Sequence, residues 1–384
     1  MRITLNGYYG FANYGDELFN LTTVLAARRW WSAHPVDILG PPVPGIEAEY
    51  RVPSWFPATI YTAPGLFGKA SRLAFLAWAM LRRDMLLYAG GSTLSYSSIL
   101  KKFQRIAAER NVTKFAAIGV SIGPFSDAAD EAEAARFLRK FTYFSVRDRK
   151  SLDLLEKMDV PVKPLLARDL VGALPLLLPD GGAPRTAVPA QPRRVLGISV
   201  CHYERLTGGD TAVEERRNAA LCEGLERFVK RERVPVRIFC LNTHPHSGDE
   251  KFSGELAARL GRQGAEVEVI SARENLLGCW HGLASCAAVL SVRLHGAITA
   301  YLCGVPFTLI EYHRKCTDLL DDLGQSAALR IGAGSADPAA VEQVLDRLFR
   351  DPPSPALPRE TYIAEAALNF TQVPWACGTG GSAS

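Results

Sequence analysis

Long hydrophobic runs are missing from this chain of 384 residues. The longest unbroken apolar run, Leu73 to Leu81, lies between Arg72 and Arg82 and is about half of what a spanning helix needs, so no segment is expected to cross a bilayer. Paired cysteines are missing as well. The eight cysteines (201, 222, 240, 279, 286, 303, 316 and 377) include no C-x-x-C, and most sit in apolar surroundings, which reads as reduced, buried thiols of a reducing compartment. There is no large excess of charge: 44 basic residues face 40 acidic ones for a net +4. Lys and Arg are spread along the chain rather than clustered, which excludes a nucleic-acid polycation and leaves room for anionic small ligands or an anionic membrane surface. The opening Met1 to Asn6 runs straight into a strand without a charged segment, an apolar segment and a cleavage site, so a cytoplasmic location is expected. No short-period repeat is present.

What is present is an alternation of short apolar runs with helical ones. Strands are expected at Ile3 to Asn6, Val36 to Leu39, Met85 to Ala89, Lys114 to Val120 and Tyr143 to Val146, with helices over Glu17 to Trp31, Leu73 to Arg83, Ser98 to Arg110, Ala128 to Phe141 and Ser151 to Met158. Such a pattern argues for a parallel sheet wrapped by helices. Residues 179–194, rich in Pro and Gly, break it and read as a linker. The alternation then restarts at Val195 and runs to about residue 350. Two Rossmann-like α/β domains facing a cleft are expected, over 1–178 and 195–350. A helical segment within 351–375 is expected to pack back on the first domain, followed by a disordered tail over 376–384.

The most informative stretch is Ala287 to Lys315. It reads as an apolar strand (Ala287 to Val292), a polar corner (Arg293 to Gly296), a small-residue helix (Ala297 to Cys303), a second strand (Val305 to Ile310) and a second polar corner (Glu311 to Lys315). Charges at the C-terminal ends of parallel strands line the ligand crevice, and a helix N-terminus favours an anion there. Arg293 and His295 are therefore the candidate anion-binding and proton-transfer pair. Lys315 and Arg314 are candidate phosphate ligands, with His313 weaker. His244 and His246 share the rim after another strand; their spacing across Pro245, with no carboxylate pair nearby, argues against a metal and for a donor contact. The corner Cys201-His202-Tyr203 puts His202 on the same rim.

In the first half, the corner Gly7 to Glu17 lies between strand and helix and is not a dinucleotide fingerprint, since G-x-G-x-x-G is absent from it. Asp16 and Glu17 would repel phosphate and suit sugar hydroxyls instead; helix capping by Asn13 or Asp16 is the alternative. Gly90, Gly91, Ser92 and Thr93, then Ser121 to Pro124, then Arg147 and Asp148, put small or hydrogen-bonding groups at one rim.

These motifs, in this order, resemble the polysaccharide pyruvyl transferases, whose members open with Gly-Tyr-x-Gly-x-x-Asn-x-Gly-Asp-Glu. Here that corner is Gly7 to Glu17 with one extra residue ahead of Gly10. The resemblance continues through Gly90-Gly91, Ser121-Ile122-Gly123-Pro124, Ser145-Val146-Arg147-Asp148 and Arg293-Leu294-His295 with Gly304-Val305-Pro306. Ala167-Arg168-Asp169-Leu170 departs from it, many members having Asp-Pro there. The resemblance implies a GT-B-like fold and transfer of pyruvate from phosphoenolpyruvate to a sugar as a ketal, with Arg293 and His295 at the donor site and no cofactor beyond that co-substrate.

The chemistry agrees with the residue types. Two anionic groups on one enol carbon call for at least two cations, Arg offering the bidentate geometry, and an imidazole suits proton delivery to the methylene carbon. The acceptor is expected to be an oligosaccharide or lipid-linked saccharide, met by Asn13, Asp16, Glu17, Gly90, Gly91 and Ser92. Gly65 to Arg83, with Trp78 and flanking bases Lys69, Arg72, Arg82 and Arg83, reads either as a buried helix of the sheet or as an interfacial helix giving peripheral contact with the inner face of a membrane. Two rival readings are a nucleotide-sugar-dependent glycosyltransferase of the same fold, disfavoured because no Glu-x7-Glu occurs in Ala287 to Arg330, and a non-catalytic polysaccharide-binding protein.

Overall fold

A computed structural model describes residues 1–377 apart from 33, 82–84, 93, 95–98, 111, 180, 183–193 and 335–336. The chain divides into two compact units: 1–11, 16–177 and 362 onward form the first, while 12–15 and 178–361 form the second.

In the first unit β1 (Ile3–Asn6), β2 (Val36–Ile38), β3 (Glu49–Tyr50), β4 (Met85–Ala89), β5 (Lys114–Val120), β6 (Phe141–Val146) and β7 (Leu165–Leu166) are the strands among the described residues. They pair in parallel in the order β3-β2-β1-β4-β5-β6-β7. Covered by helices on both faces, β4 is apolar throughout, and every residue of Met85–Ala89 is buried. The helices are α1 (Tyr14–Trp30, whose first two residues are grouped with the second unit), α2 (Ala58–Thr62), α3 (Leu66–Leu81), α4 (Ile99–Glu109), α5 (Ala128–Leu138), α6 (Arg149–Lys157) and α7 (Leu174–Leu177).

In the second unit β8 (Leu196–Ser199), β9 (Val236–Cys240), β10 (Val267–Ser271), β11 (Ala288–Ser291), β12 (Phe307–Glu311) and β13 (Arg330–Gly332) form a parallel sheet in the order β10-β9-β8-β11-β12-β13. Its helices are α8 (Glu204–Thr207), α9 (Thr211–Glu232), α10 (Glu250–Arg262), α11 (Leu276–Ala284), α12 (Leu294–Leu302), α13 (Arg314–Leu323) and α14 (Pro338–Arg350), and α15 (Arg359–Thr371) runs on into the first unit. Each sheet therefore reverses its direction of growth once, between β1 and β4 and between β8 and β11. That reversal opens the crevice in which doubly wound sheets bind ligands.

Several helices begin earlier than their apolar periodicity suggests, and for α6 a capping residue sets the start. Asp148 accepts the Ser151 N–H at 2.8 Å and starts α6 at Arg149. Arg293 occupies the cap position of α12, so His295 and Gly296 lie inside its first turn and not in a corner before it. The stretch between Pro41 and Pro64, which has no readable period, contains β3 and α2. Most of the expected linker and residues 378–384 lie outside the described residues, as do Arg82 and Arg83. Ala376 and Cys377, expected in a disordered tail, are hydrogen-bonded instead, Cys377 N donating to Trp30 O at 2.8 Å. Within the first unit, the Tyr362–Thr371 part of α15 packs on the sheet: Trp31 Nε1 donates to Phe370 O at 2.8 Å, and Ser145 Oγ to Asn369 Oδ1 at 2.7 Å.

Candidate active site

The crevice of the second unit is built from four strand ends. After β8 come Cys201, His202 and Tyr203; after β11, Arg293 and His295; after β12, Tyr312 to Lys315; after β9, the loop from Asn242 to Asp249. A short hydroxyl relay fixes the β11 corner: Ser199 Oγ and Ser291 Oγ lie 2.6 Å apart, Ser291 Oγ donates to Arg293 O at 2.5 Å, and Arg293 N donates to Ser199 Oγ at 3.4 Å. Gly296 is required beside it, since a Cβ there would stand 2.5 Å from Ser291 Oγ.

Arg293 makes a forked ion pair with the fully buried Asp249, Nε to Oδ2 at 2.8 Å and Nη2 to Oδ1 at 2.5 Å. These bonds fix the plane of the guanidinium and leave Nη1 over. Burial raises the Asp249 carboxyl above its ordinary value, while the Arg293 charge and hydrogen bonds pull it back. Asp249 is itself placed by its own amide, which donates to Asn242 O at 2.7 Å.

His295 is half-buried, and its seat is shaped by a distant part of the sequence that belongs to the same unit. The N-terminal corner pairs with the end of β9: Tyr14 N donates to Leu241 O at 2.8 Å, Thr243 N to Ala12 O at 2.9 Å, and Asn13 bridges Asn242. Tyr14 Oη lies 3.1 Å from Thr299 Oγ1 on α12. This brings Gly15 against the imidazole so closely that a Cβ would stand 2.0 Å from His295 Nδ1. Asn13, expected to meet an acceptor, caps α1 by accepting the Gly15 N–H at 3.2 Å.

Other cations surround Cys201. Lys315 Nζ sits 5.9 Å from the Tyr203 ring centroid, and the Arg217 guanidinium 5.6 Å from that of Tyr312. Arg217 projects from α9, is 1% exposed and pairs with Glu204 at 2.5 Å. Burial pushes the Cys201 thiol up to about 11, with Arg293 pulling the other way, so it stays protonated at neutral pH and is no nucleophile. His202 Nδ1 lies 2.9 Å from Glu214 Oε1, and its ring stacks on Phe252 at 4.7 Å. Burial works to raise the Glu214 carboxyl, but its hydrogen bonds with the Tyr203 and Arg205 amides and with His202 help to hold it at about 2.

Three expected ligands have local roles. His313 caps α13, its Nδ1 accepting the Lys315 N–H at 3.1 Å; burial, then the Lys315 and Arg314 charges, push its pKa down to about 4, so it is a neutral acceptor near pH 7. Arg314 faces solvent in a pair with Asp318 at 3.1 Å. His244 Nδ1 takes the His246 N–H at 3.3 Å and lies 3.2 Å from Ser247 Oγ, which closes a turn. Among the described residues no group of three or more His, Cys, Asp or Glu is placed to hold a metal.

In the first unit Glu17 is turned inward, its Oε1 accepting the Gly10 N–H at 2.8 Å; burial and this bond make it a support for the corner and take it from the rim. Asp16 is half-buried, and Gly90, buried at φ +77°, closes over Phe19. Ser92 is exposed beside Arg147, whose Nε donates to Ser121 Oγ at 2.7 Å and whose Nη1 donates to Asp169 Oδ2 at 2.8 Å. Ser121 in turn donates to Asp148 at 2.7 Å. Arg168 pairs with Glu365 at 2.6 Å. Ser92, Ser121, Arg147, Asp148 and Asp169 thus form one connected network at the rim.

The model of the polysaccharide pyruvyl transferase family matches residues 13–314, most of the chain. The chain belongs to this family. Among curated proteins none matches its sequence. Solved structures similar to it include a candidate UDP-N-acetylglucosamine 2-epimerase from Listeria monocytogenes (TM-score 0.62, 9% identity, covering 97% of this chain and 94% of that one). Others are MnaA of S. aureus with UDP (0.61, 11%, 95% and 90%) and the UDP-GlcNAc 2-epimerase of Neisseria meningitidis bound to UDP-GlcNAc (0.57, 11%, 95% and 94%). At such identity the likeness is one of fold, and the fold is GT-B-like, with two Rossmann-like parallel sheets.

Arg217, Glu214 and Asp249 are not among the residues expected from sequence, since none of them directly follows a strand. The available signal was a Glu and an Arg three residues apart near the start of α9, on the side that carries its buried residues, and an acid closing the polar loop after β9.

Proposed function

We propose that this member of the family transfers pyruvate from phosphoenolpyruvate to a saccharide, forming a ketal and releasing phosphate. The observation that carries the reading is Arg293 and His295 together at the crevice of the second sheet, the first oriented by Asp249 and the second seated against Gly15. With Nε and Nη2 held by Asp249, Arg293 offers Nη1 to one anionic group of the donor. Lys315 supplies a second cation, and the first turn of α12 adds N–H groups of the right polarity. His202 is a further donor contact on the same rim.

The step balances without a cofactor. His295 gives a proton to the methylene carbon, making a methyl group and cationic character at the adjacent carbon, which one sugar hydroxyl attacks. The C–O bond to phosphate then breaks as the second hydroxyl closes the ketal. Of the two hydroxyl protons, one restores His295 and the other leaves with phosphate. Orientation supplies much of the rate in such a reaction, which is why the imidazole and guanidinium are each fixed by a second group. Asp16, Gly91 and Ser92 on the rim of the first unit meet the acceptor, an oligosaccharide or its lipid-linked precursor.

Incubation with phosphoenolpyruvate and a panel of saccharides tests this. Phosphate release with a new ketal methyl signal in the proton NMR spectrum is expected. Turnover of nucleotide sugars with none of phosphoenolpyruvate would contradict it.

A further inference from the structure

The helical corner of α2 and α3 has two ends of different character. The middle of α3 belongs to the core of the first unit, with Leu76, Ala79 and Met80 buried. Its first turn does not: Leu66 is 83% and Phe67 86% exposed. Ile60 on α2 and Trp55 just before it are 42% and 78% exposed. The corner is held from behind and is not a loose loop. Phe56 and Tyr61 pack on Phe75, with ring centroids 5.2 and 6.2 Å apart, and Arg72 Nη1 donates to the carbonyls of Tyr61 and Ala63. Gly68 brings the end of α2 against the first turn of α3, since a Cβ there would stand 2.1 Å from Ala63 O. Leu66 and Phe67 are thus presented outward on a braced support.

The charge along this segment of the sequence is one-sided. From Arg51 to Arg83 the sequence holds five basic residues and no acidic one, although acidic and basic residues are nearly balanced over the whole chain. Arg51 is engaged with Asp37 and lies over Trp78, whereas Lys69 is exposed one turn from Leu66. Exposed aromatic and aliphatic side chains on a braced tip, with the exposed Lys69 one turn away, complement an anionic bilayer. The apolar groups enter the acyl boundary while the bases meet lipid headgroups.

We propose that the α2–α3 tip, through Trp55, Ile60, Leu66 and Phe67 with Lys69, docks this protein on the surface of an anionic lipid bilayer. The helix lies at the membrane without crossing it; none of the described helices is long and apolar enough to cross. This inference stands whether or not the donor is phosphoenolpyruvate.

Flotation of the full chain with vesicles of phosphatidylcholine alone, or with roughly 30 mol% phosphatidylglycerol, tests it. Binding to the anionic vesicles is expected. The Leu66→Ser/Phe67→Ser pair, changed on the outer face where folding is not at stake, should weaken it by about tenfold or more. Lys69→Glu should weaken it by a smaller, salt-sensitive factor. No binding of the wild type to anionic vesicles, or binding that both variants retain, would overturn the proposal. So would a wild-type dimer in analytical ultracentrifugation that the serine pair converts to monomer without any vesicle binding, which would assign the tip to a second copy.

Discussion

The two sheets of this protein share the order of six strands, the first adding β7 at one edge, and reverse direction at equivalent points, yet their rims have different chemistry. Around β1 and β4 the rim of the first unit is made of glycines, hydroxyls and an inward Glu17, and its arginine, Arg147, is bonded along its edges to Ser121, Asp169 and Ser92. Around β8 and β11 the rim of the second unit gathers Arg293, Lys315 and Arg217 near one buried thiol, and Arg293 keeps Nη1 over. Position in the fold makes each rim a place where ligands bind; how far its cations are already paired decides what kind. An arginine with all its edges bonded organises structure, whereas one held along a single edge is oriented for a ligand.

Breaking the second rim at its proposed proton donor should have the largest effect. His295→Gln is expected to lower turnover by about 10² to 10⁴-fold, with thermal unfolding and donor affinity little changed; near-normal rates would remove the imidazole from the mechanism. Gly15→Ala drives a methyl group into the same imidazole and should cost about 10²-fold in turnover through misplacement alone, read as a loss in kcat with the donor Kd preserved.

Arg293→Lys sharpens the contrast between the rims. A lysine can answer Asp249 or the donor but not both, so donor affinity should fall by about tenfold. Alanine is a poorer probe at this position, because stranding the buried Asp249 charge costs about 3–5 kcal/mol of stability. The smallest effect is expected at His313. Its pKa is pushed down to about 4 in the folded chain against 6.5 ordinarily, so the unfolded chain takes up the proton first. Its contribution to stability is therefore complete above about pH 6.5 and declines as pH falls toward 4. Replacing it by another capping residue, His313→Asn, should flatten that part of the pH dependence of thermal unfolding while changing stability at pH 7 by no more than about 1 kcal/mol.

The comparison also shows what could be read from sequence. β1, β4 and β5 are visible residue for residue: β4 is a continuous apolar run, as befits a strand buried on both faces, β5 is one after Lys114, and β1 alternates apolar and polar residues. β3, β7 and β13 are not, being two or three residues long and lying toward the sheet edges, where no period can develop. The Arg293 and His295 pair was legible because both residues lie at one strand end. Their supports were not. Asp249 comes from another strand's loop and Gly15 from the far end of the chain, and nothing in a one-dimensional pattern joins Gly15 to His295. Likewise Lys315 and His313 look alike as polar residues at a helix start, and only the direction of the His313 Nδ1 bond shows that it is a cap.

The most direct test of this account is calorimetric titration with phosphoenolpyruvate, a saccharide acceptor being present, of the wild type, Arg293→Lys and Arg147→Lys. Saturable binding that weakens about tenfold in Arg293→Lys and is unchanged in Arg147→Lys is the expected result. Equal weakening in both variants, or no binding by a wild type that does bind a nucleotide sugar, would contradict the assignment of the donor to the second rim.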